Sequence, residues 1–386
     1  MDLLLLAQDV TWGGRTGDAV HLRELARGLA QRGHAVRVLA RAGGESLAVS
    51  GVEVLPIASR MNLGVRAFRA PVVARALVRA VRRRRPDLVY SRSFGDVAEI
   101  RTTRALGLPI VFEVNGDAIA ERESQSGRRL AVRSFQVRSA RAGFRSARLV
   151  VAVTDTLRQR LVEEYRVPAQ QIVVVPNAAD TERFSPRPGE TFRRALGLPA
   201  GEPVVGFVGN LAPWQGVDVL LRAFAIILRS LPRAWLLVVG DGQALSDLRS
   251  LGQELGIESR VRFVGAVPYE RVPECIAAMD VGTAPMTRER LRSGSSAIKV
   301  YEYLACERPV VASRIPGLEF VEVEDLGRLV PPEDAASLAE ALASALRDGP
   351  WRRSAGERGR AYVLRQAGWP AVAAAVERVC REAIAG

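Results

Sequence analysis

The sequence predicts an α/β protein built from two doubly wound domains, each a parallel sheet wrapped by helices. Three observations carry the prediction. Short apolar runs closed by glycine turns alternate with amphipathic stretches, the mark of strand–helix–strand crossovers. The alternation pauses at Pro186-Arg187-Pro188-Gly189 and restarts with a new apolar run at 203–208. The chain then closes on a helical stretch, 369–384, read as packing back toward the first domain. The expected division is therefore residues 1–188, residues 189–366 and a terminal helix within 367–386.

Taken in order, Leu3–Ala7 is an unbroken apolar run and reads as a buried strand. Gly13-Gly14-Arg15-Thr16-Gly17 is a turn. Residues 19–32 show helical periodicity through Val20, Leu22, Leu25, Ala26 and Leu29, and stop at Gly33. Strands follow at 36–39, 52–55, 88–90, 110–113, 149–153 and 172–175, with arginine-rich helical stretches between several of them. In the second half, 203–208 is a strand, Gly209–Gly216 a loop, 217–229 a helix, and 235–239 a strand closed by Gly240-Asp241-Gly242. Runs at 261–264, 281–284 and 310–312 continue the series. Ligands of such sheets bind beyond the carboxyl ends of the strands, so two sheets facing one another would place a ligand cleft between them.

With 386 residues, 48% of them hydrophobic, the chain is long enough for two separate cores. The opening Met1–Asp9 lacks the basic start of a signal peptide, and no run reaches the roughly 18–20 apolar residues of a membrane span. Cys275, Cys306 and Cys380 have no metal-ligand spacing. These features predict a reduced, cytoplasmic protein without structural zinc. The net charge of +13 is lopsided: residues 1–190 hold a balance of +12 and residues 191–386 hold +1. The first half is expected to meet something anionic, such as a lipid surface, and a solvated arginine-rich face is the alternative. No basic–aromatic interleaving points to nucleic acid.

One lysine, Lys299, stands against 54 arginines. It falls in Ser295-Ser296-Ala297-Ile298-Lys299-Val300-Tyr301-Glu302, with small residues before it and a carboxylate three residues on. A compact ammonium suits a phosphate oxygen where a guanidinium needs more room. Small residues let backbone amides at 295–298 face a ligand, and Glu302 can accept from two vicinal ribose hydroxyls. Gly14 and the loop carrying Gly209, Asn210 and Gln215 each follow a strand and open a helix, so either an anion site or a plain turn accounts for them. His21, Glu113, Asn115 and Asp117 lie near predicted strand ends and are candidate acceptor contacts, with structural turn roles as the alternative. With only His21 and His34 present, a mechanism built on a Ser–His or His–Asp pair is disfavoured.

Together these residues resemble the retaining glycosyltransferases of family 4. The resemblance runs in order through Gly13-Gly14, Arg32-Gly33-His34-Ala35-Val36, Val174-Val175-Pro176-Asn177, Phe207-Val208-Gly209-Asn210 with Gly216, Gly240-Asp241-Gly242, Lys299–Ala305 and Pro309–Ser313. It departs from the family pattern at Gly294, where many members carry Glu, and at Asn210 and Gln215, where many carry Arg and Lys. The resemblance implies a GT-B fold and transfer of a sugar from a nucleotide diphosphate sugar to an acceptor hydroxyl without a metal or other cofactor. The first domain would take the acceptor and the second the donor. Lys299 and Glu302 would be the catalytic pair. Gly14, Gly209, Asn210, Gln215, Ser295, Ser296, Ala297 and Ile298 would line the donor. The acceptor would be a glycolipid, a polysaccharide or a small molecule, and peripheral contact with the inner face of the cell membrane is expected through Arg82–Arg85 and Arg138, Arg141, Arg145 and Arg148. A nucleotide-sugar epimerase on the same fold and a non-catalytic binding protein are the rival readings.

Overall fold

A computed structural model of the protein describes residues 1–14, 16–44, 48–57, 69–120, 123, 133–288, 290–293 and 297–386. The chain forms two compact units, Met1–Asn177 with Trp369–Gly386, and Ala178–Arg292 with Ala297–Gly368. The division lies eleven residues before the boundary expected at 188. Phe184 is fully buried in the second core and the backbone of Gly189 lies against that of Ala277, so the proline-rich segment is part of the second unit.

The first unit holds a seven-stranded parallel sheet in the order β3-β2-β1-β4-β5-β6-β7. Its strands are β1 (Asp2–Gly13), β2 (Ala35–Gly44), β3 (Val52–Ile57), β4 (Leu88–Ser91), β5 (Ile110–Val114), β6 (Leu149–Ala152) and β7 (Ile172–Val174). β1 and β2 run past their apolar centres because backbone pairing continues through Thr11 and Arg41, with a register irregularity after Ala7. The strand order reverses between β1 and β4. Right-handed crossovers then put α1 (Gly17–Gln31) on one face and α2 (Arg69–Arg83), α3 (Val97–Ala105) and α4 (Arg133–Ser146) side by side on the other. Asp96 caps α3 by accepting from the amides of Ala98 and Glu99.

The second unit holds a six-stranded parallel sheet in the order β10-β9-β8-β11-β12-β13, formed by β8 (Val204–Val208), β9 (Trp235–Val239), β10 (Val261–Gly265), β11 (Val281–Ala284), β12 (Val310–Ser313) and β13 (Gly327–Val330). β8, β9 and β11 are buried along their whole length, as strands covered on both faces should be. The order reverses between β8 and β11. α5 (Val217–Ser230) follows β8, and α6 (Ile298–Ala305) follows β11. The last helix, α7 (Trp369–Ala385), packs on α1 in the first unit, where Ala373 meets Gly28 so closely that a side chain at 28 would collide with it. Among the described residues no helix is long and apolar enough to cross a membrane.

Candidate functional site

In the second unit the candidate donor residues gather beside the switch point of the sheet, where such folds bind ligands. The loop after β8 turns at Gly209 (φ +147°) and enters α5 through Gly216 (φ +66°). A Cβ at Gly216 would lie 1.7 Å from the carbonyl oxygen of Pro285, so only glycine fits there. A Cβ at Gly209 would lie 2.7 Å from the amine of Lys299. The glycine therefore makes room for the ammonium, while its own amide donates to the carbonyl of Val239.

Lys299 sits in the first turn of α6, whose N-cap, Ala297, provides no side-chain hydrogen bond. The helix N-terminus thus presents amides and the positive end of its dipole beside the amine. The amine of Lys299 donates to Gln215 Oε1 at 2.8 Å and lies 3.9 Å from the ring centroid of Phe207. Burial, and then the charge of Arg290, push its pKa down to about 7, with Glu302 pulling the other way. Glu302 is 6% exposed; burial raises its carboxyl to about 7 against the hydrogen bond from Tyr269 and the charges of Lys299 and Arg183. Asn210 is exposed, and its side-chain oxygen approaches Gly242, so the loops after β8 and β9 run together. Ala297 is buried and Ile298 half-buried at the start of α6. Ser295 and Ser296 lie outside the described residues.

In the first unit, β4, β5 and α1 converge on a buried carboxylate. Glu113 accepts from Tyr90 Oη at 2.7 Å, Arg92 Nε at 2.8 Å and Asn115 Nδ2 at 2.7 Å. His21 Nε2 lies 2.9 Å from its Oε1. Burial works against ionisation of Glu113, but His21 and Arg92 and the hydrogen bonds hold its carboxyl well below the usual range. Burial also lowers the pKa of His21, keeping it neutral at neutral pH, so Arg92 is the cation that balances Glu113. The edge of His21 meets the Trp369 ring, 4.9 Å between centroids, and Asn177 is its other polar partner.

Two expected site residues are engaged elsewhere. Asp117 is 1% exposed: it accepts from the amides of Ile119 and Ala120, from Tyr165 Oη and from Arg160, and so organises a turn. The amide of Gly14 donates to Thr11 O at 2.9 Å and its carbonyl accepts from the buried Arg23, so both of its polar groups are engaged in the turn. Four side chains complete the two clusters beyond the candidate site residues: Tyr269 and Phe207 around α6, the latter noted above only within the family pattern, and Tyr90 and Arg92 around Glu113. Strand ends could have flagged Arg92. Nothing local marks Tyr269, which reaches Glu302 from 33 residues away.

Comparison with known proteins divides the chain between residues 183 and 189. A family model described as Glycosyltransferase Family 4 matches residues 16–183, and one described as Glycosyl transferases group 1 matches residues 189–362. A D-inositol 3-phosphate glycosyltransferase of Kineococcus radiotolerans is 32% identical across 96% of this chain and 92% of its own length. A protein of the same name from Corynebacterium jeikeium is 35% identical across 61% of this chain and 58% of its own. Among solved structures, sucrose-phosphate synthase from Thermosynechococcus elongatus superposes with a TM-score of 0.83 at 22% identity, covering 100% of both chains. Anabaena HepE in complex with UDP-glucose superposes at 0.79 and 20% identity, covering 98% of this chain and 99% of that one. The fold is thus that of the GT-B glycosyltransferases.

Proposed function

Because the chain belongs to glycosyltransferase family 4, we propose that it moves a sugar from a nucleotide diphosphate sugar to an acceptor hydroxyl with retention of configuration. The observation that carries this reading is the Lys299 amine. It is the only lysine of the chain, and it is fitted against Gly209 at the start of an uncapped helix with a neutral amide as its hydrogen-bond acceptor. The carboxyl that faces the amine, Glu302, is held up by burial, and a diphosphate supplies the full negative charge that the amine can neutralise. As the bond between the sugar C1 and the diphosphate oxygen breaks, the ammonium and the amides of α6 offset the charge growing on the leaving group. The acceptor hydroxyl forms the new bond to C1 on the same face and its proton passes to the departing phosphate oxygen, so neither a protein nucleophile nor a metal ion is needed. Glu302 accepts from the ribose hydroxyls. Asn210 and Gln215, through its Nε2, are the neutral contacts of the phosphate loop.

In the first unit Glu113, Asn115 and His21 form the acceptor end. Curated relatives act, by name, on D-inositol 3-phosphate, and a polyhydroxylated acceptor suits a cluster of one carboxylate, one amide and one neutral imidazole. The test is a thermal-shift screen of UDP-, GDP-, ADP- and dTDP-sugars, since a ligand of the native state raises its melting temperature by mass action. The stabilising donor is expected to release its nucleotide only when an acceptor is added. Conversion of the donor with no acceptor would support the epimerase reading, and binding without turnover a non-catalytic one.

The arginine surface of the first unit fits an anionic membrane, with a membership revised by the structure. Arg84 pairs with Asp2, Arg85 donates to Gly107 O, Arg141 to Glu164 O and Arg148 to Gly386 O. Arg83 pairs with Glu53, and the exposed set on the adjacent helices α2, α3 and α4 is then Arg75, Arg79, Arg82, Arg101, Arg104, Arg138 and Arg145. The only carboxylate of these three helices, Glu99, is buried, and Phe135 on α4 is 74% exposed. Basic residues around an exposed ring match the make-up of an interfacial anchor. Sedimentation with phosphatidylglycerol vesicles is expected to retain the protein at low salt and release it near 0.5 M NaCl. Replacing Arg138 and Arg145 by Glu should weaken partition about tenfold or more, at about 1 kcal/mol per basic residue near the surface. Equal partition to neutral vesicles would remove the membrane reading.

A further inference from the structure

We propose that Tyr269 is a positioning residue for the ribose carboxylate, fixing one oxygen of Glu302 so that the other is free and aimed at the nucleoside diol. The inference rests on the reading of Glu302 as the ribose acceptor. Tyr269 lies in the short turn after β10, and its hydroxyl donates to Glu302 Oε1 at 2.9 Å. The ring is held by two neighbours. Phe184, fully buried, tilts against it with 5.4 Å between centroids, and the Arg183 guanidinium lies 5.0 Å from its centroid. Arg183 is in turn tied to Asp180, whose carboxylate accepts its backbone amide at 3.0 Å and faces its side chain at 3.6 Å. Asp180, Arg183, Tyr269 and Glu302 therefore form one relay running from the segment after the unit boundary to α6.

The arrangement answers a problem that burial creates. A carboxylate binds two hydroxyls well only when ionised, and a buried one resists ionising. The charged and titratable groups facing Glu302 are Lys299, Tyr303 and Cys306 from its own helix and its end, Tyr269 from the turn after β10, and Arg183. Tyr303 and Cys306 are driven up by burial and stay neutral; Cys306 reaches about 12. Of the groups that favour the carboxylate, the Tyr269 hydroxyl acts most strongly, ahead of Lys299 and Arg183.

The test compares UDP, GDP and ADP with their 2′,3′-dideoxy forms by isothermal titration at pH 7 and pH 9. The pair used is that of the nucleotide that binds. The wild type is expected to prefer the ribonucleotide at least tenfold, and E302Q to lose that preference. Y269F keeps the ring and its packing and removes one hydroxyl. It is expected to cut the preference about fivefold at pH 7, leave dideoxy affinity unchanged, and regain most of the preference at pH 9, where Glu302 ionises without help. Titration of Lys299 cancels in the ratio, because both ligands carry the same diphosphate. Equal loss for both ligands, or an unchanged ratio, overturns the role of Tyr269. A wild type that binds without preference, or binds none of the three, overturns the reading of Glu302 on which it rests. If Y269F does not fold, R183M should shift the ratio in the same direction by a smaller factor, and an unchanged ratio there overturns the proposal equally.

Discussion

Lys299→Ala is expected to lower kcat/KM by at least about a hundredfold while leaving the melting temperature unchanged or slightly higher. The kinetic loss follows from removing a preformed positive charge from the leaving diphosphate, an effect worth about 10²–10³ in rate when a comparable group is deleted. The stability result follows from burial. A lysine whose pKa is pushed down to about 7 stands in an environment that disfavours its charge, so its removal relieves a penalty. Arginine should not rescue it, because the amine already fills the space beside Gly209 and a planar guanidinium is larger. Donor affinity should also be bell-shaped in pH, with both limbs near 7. Below that pH Glu302 takes a proton and loses the ribose; above it Lys299 gives one up and loses the diphosphate. The limbs belong to the coupled pair, so the alanine variant should lose the alkaline limb and E302Q the acid one. Steady-state kinetics with pH-resolved titration checks both, and full activity in Lys299→Ala would end the donor assignment.

Glu113→Gln is expected to destabilise the protein by about 3–5 kcal/mol, the range seen when one member of a buried pair is removed and its partner's charge is left behind. The partner is Arg92, whose side chain is 6% exposed and which meets Glu113 at 2.8 Å. The double variant R92M/E113Q should recover a large part of the loss, since it leaves no uncompensated charge, and a double-mutant cycle in urea isolates that coupling. The pH dependence has a definite sign. The carboxyl of Glu113 is held below its ordinary value, so its contribution is complete above the unfolded value near 4.5 and disappears as the pH falls toward the native one. The gap between wild type and variant should therefore narrow below pH 4.5. A loss under 1 kcal/mol would mean that the cluster is not held by this pair.

Much of this was legible in the chain. Apolar runs such as Leu3–Ala7 and Trp235–Val239 are buried parallel strands because a strand covered on both faces is built mainly from apolar residues, and that preference acts within five residues. Lys299 stood out because every other basic position is arginine, a contrast of composition that needs no coordinates. The extent of β1, by contrast, was set by backbone pairing with β2, which continues through residues whose side chains give no sign of it.

The amino-acid order by itself determined the class of fold and the two parallel sheets, because hydrophobic period and glycine turns are local properties. Only the tertiary structure decided what those residues do with their hydrogen bonds. It directed Asp117 and the amide of Gly14 into turns, gave Glu113 its cation in Arg92, and brought Tyr269 to Glu302 across 33 positions. The physical reason is that a polar group's partner is fixed by which strand ends lie side by side. In a doubly wound sheet that neighbourhood comes from strand order, which is not the order of the chain.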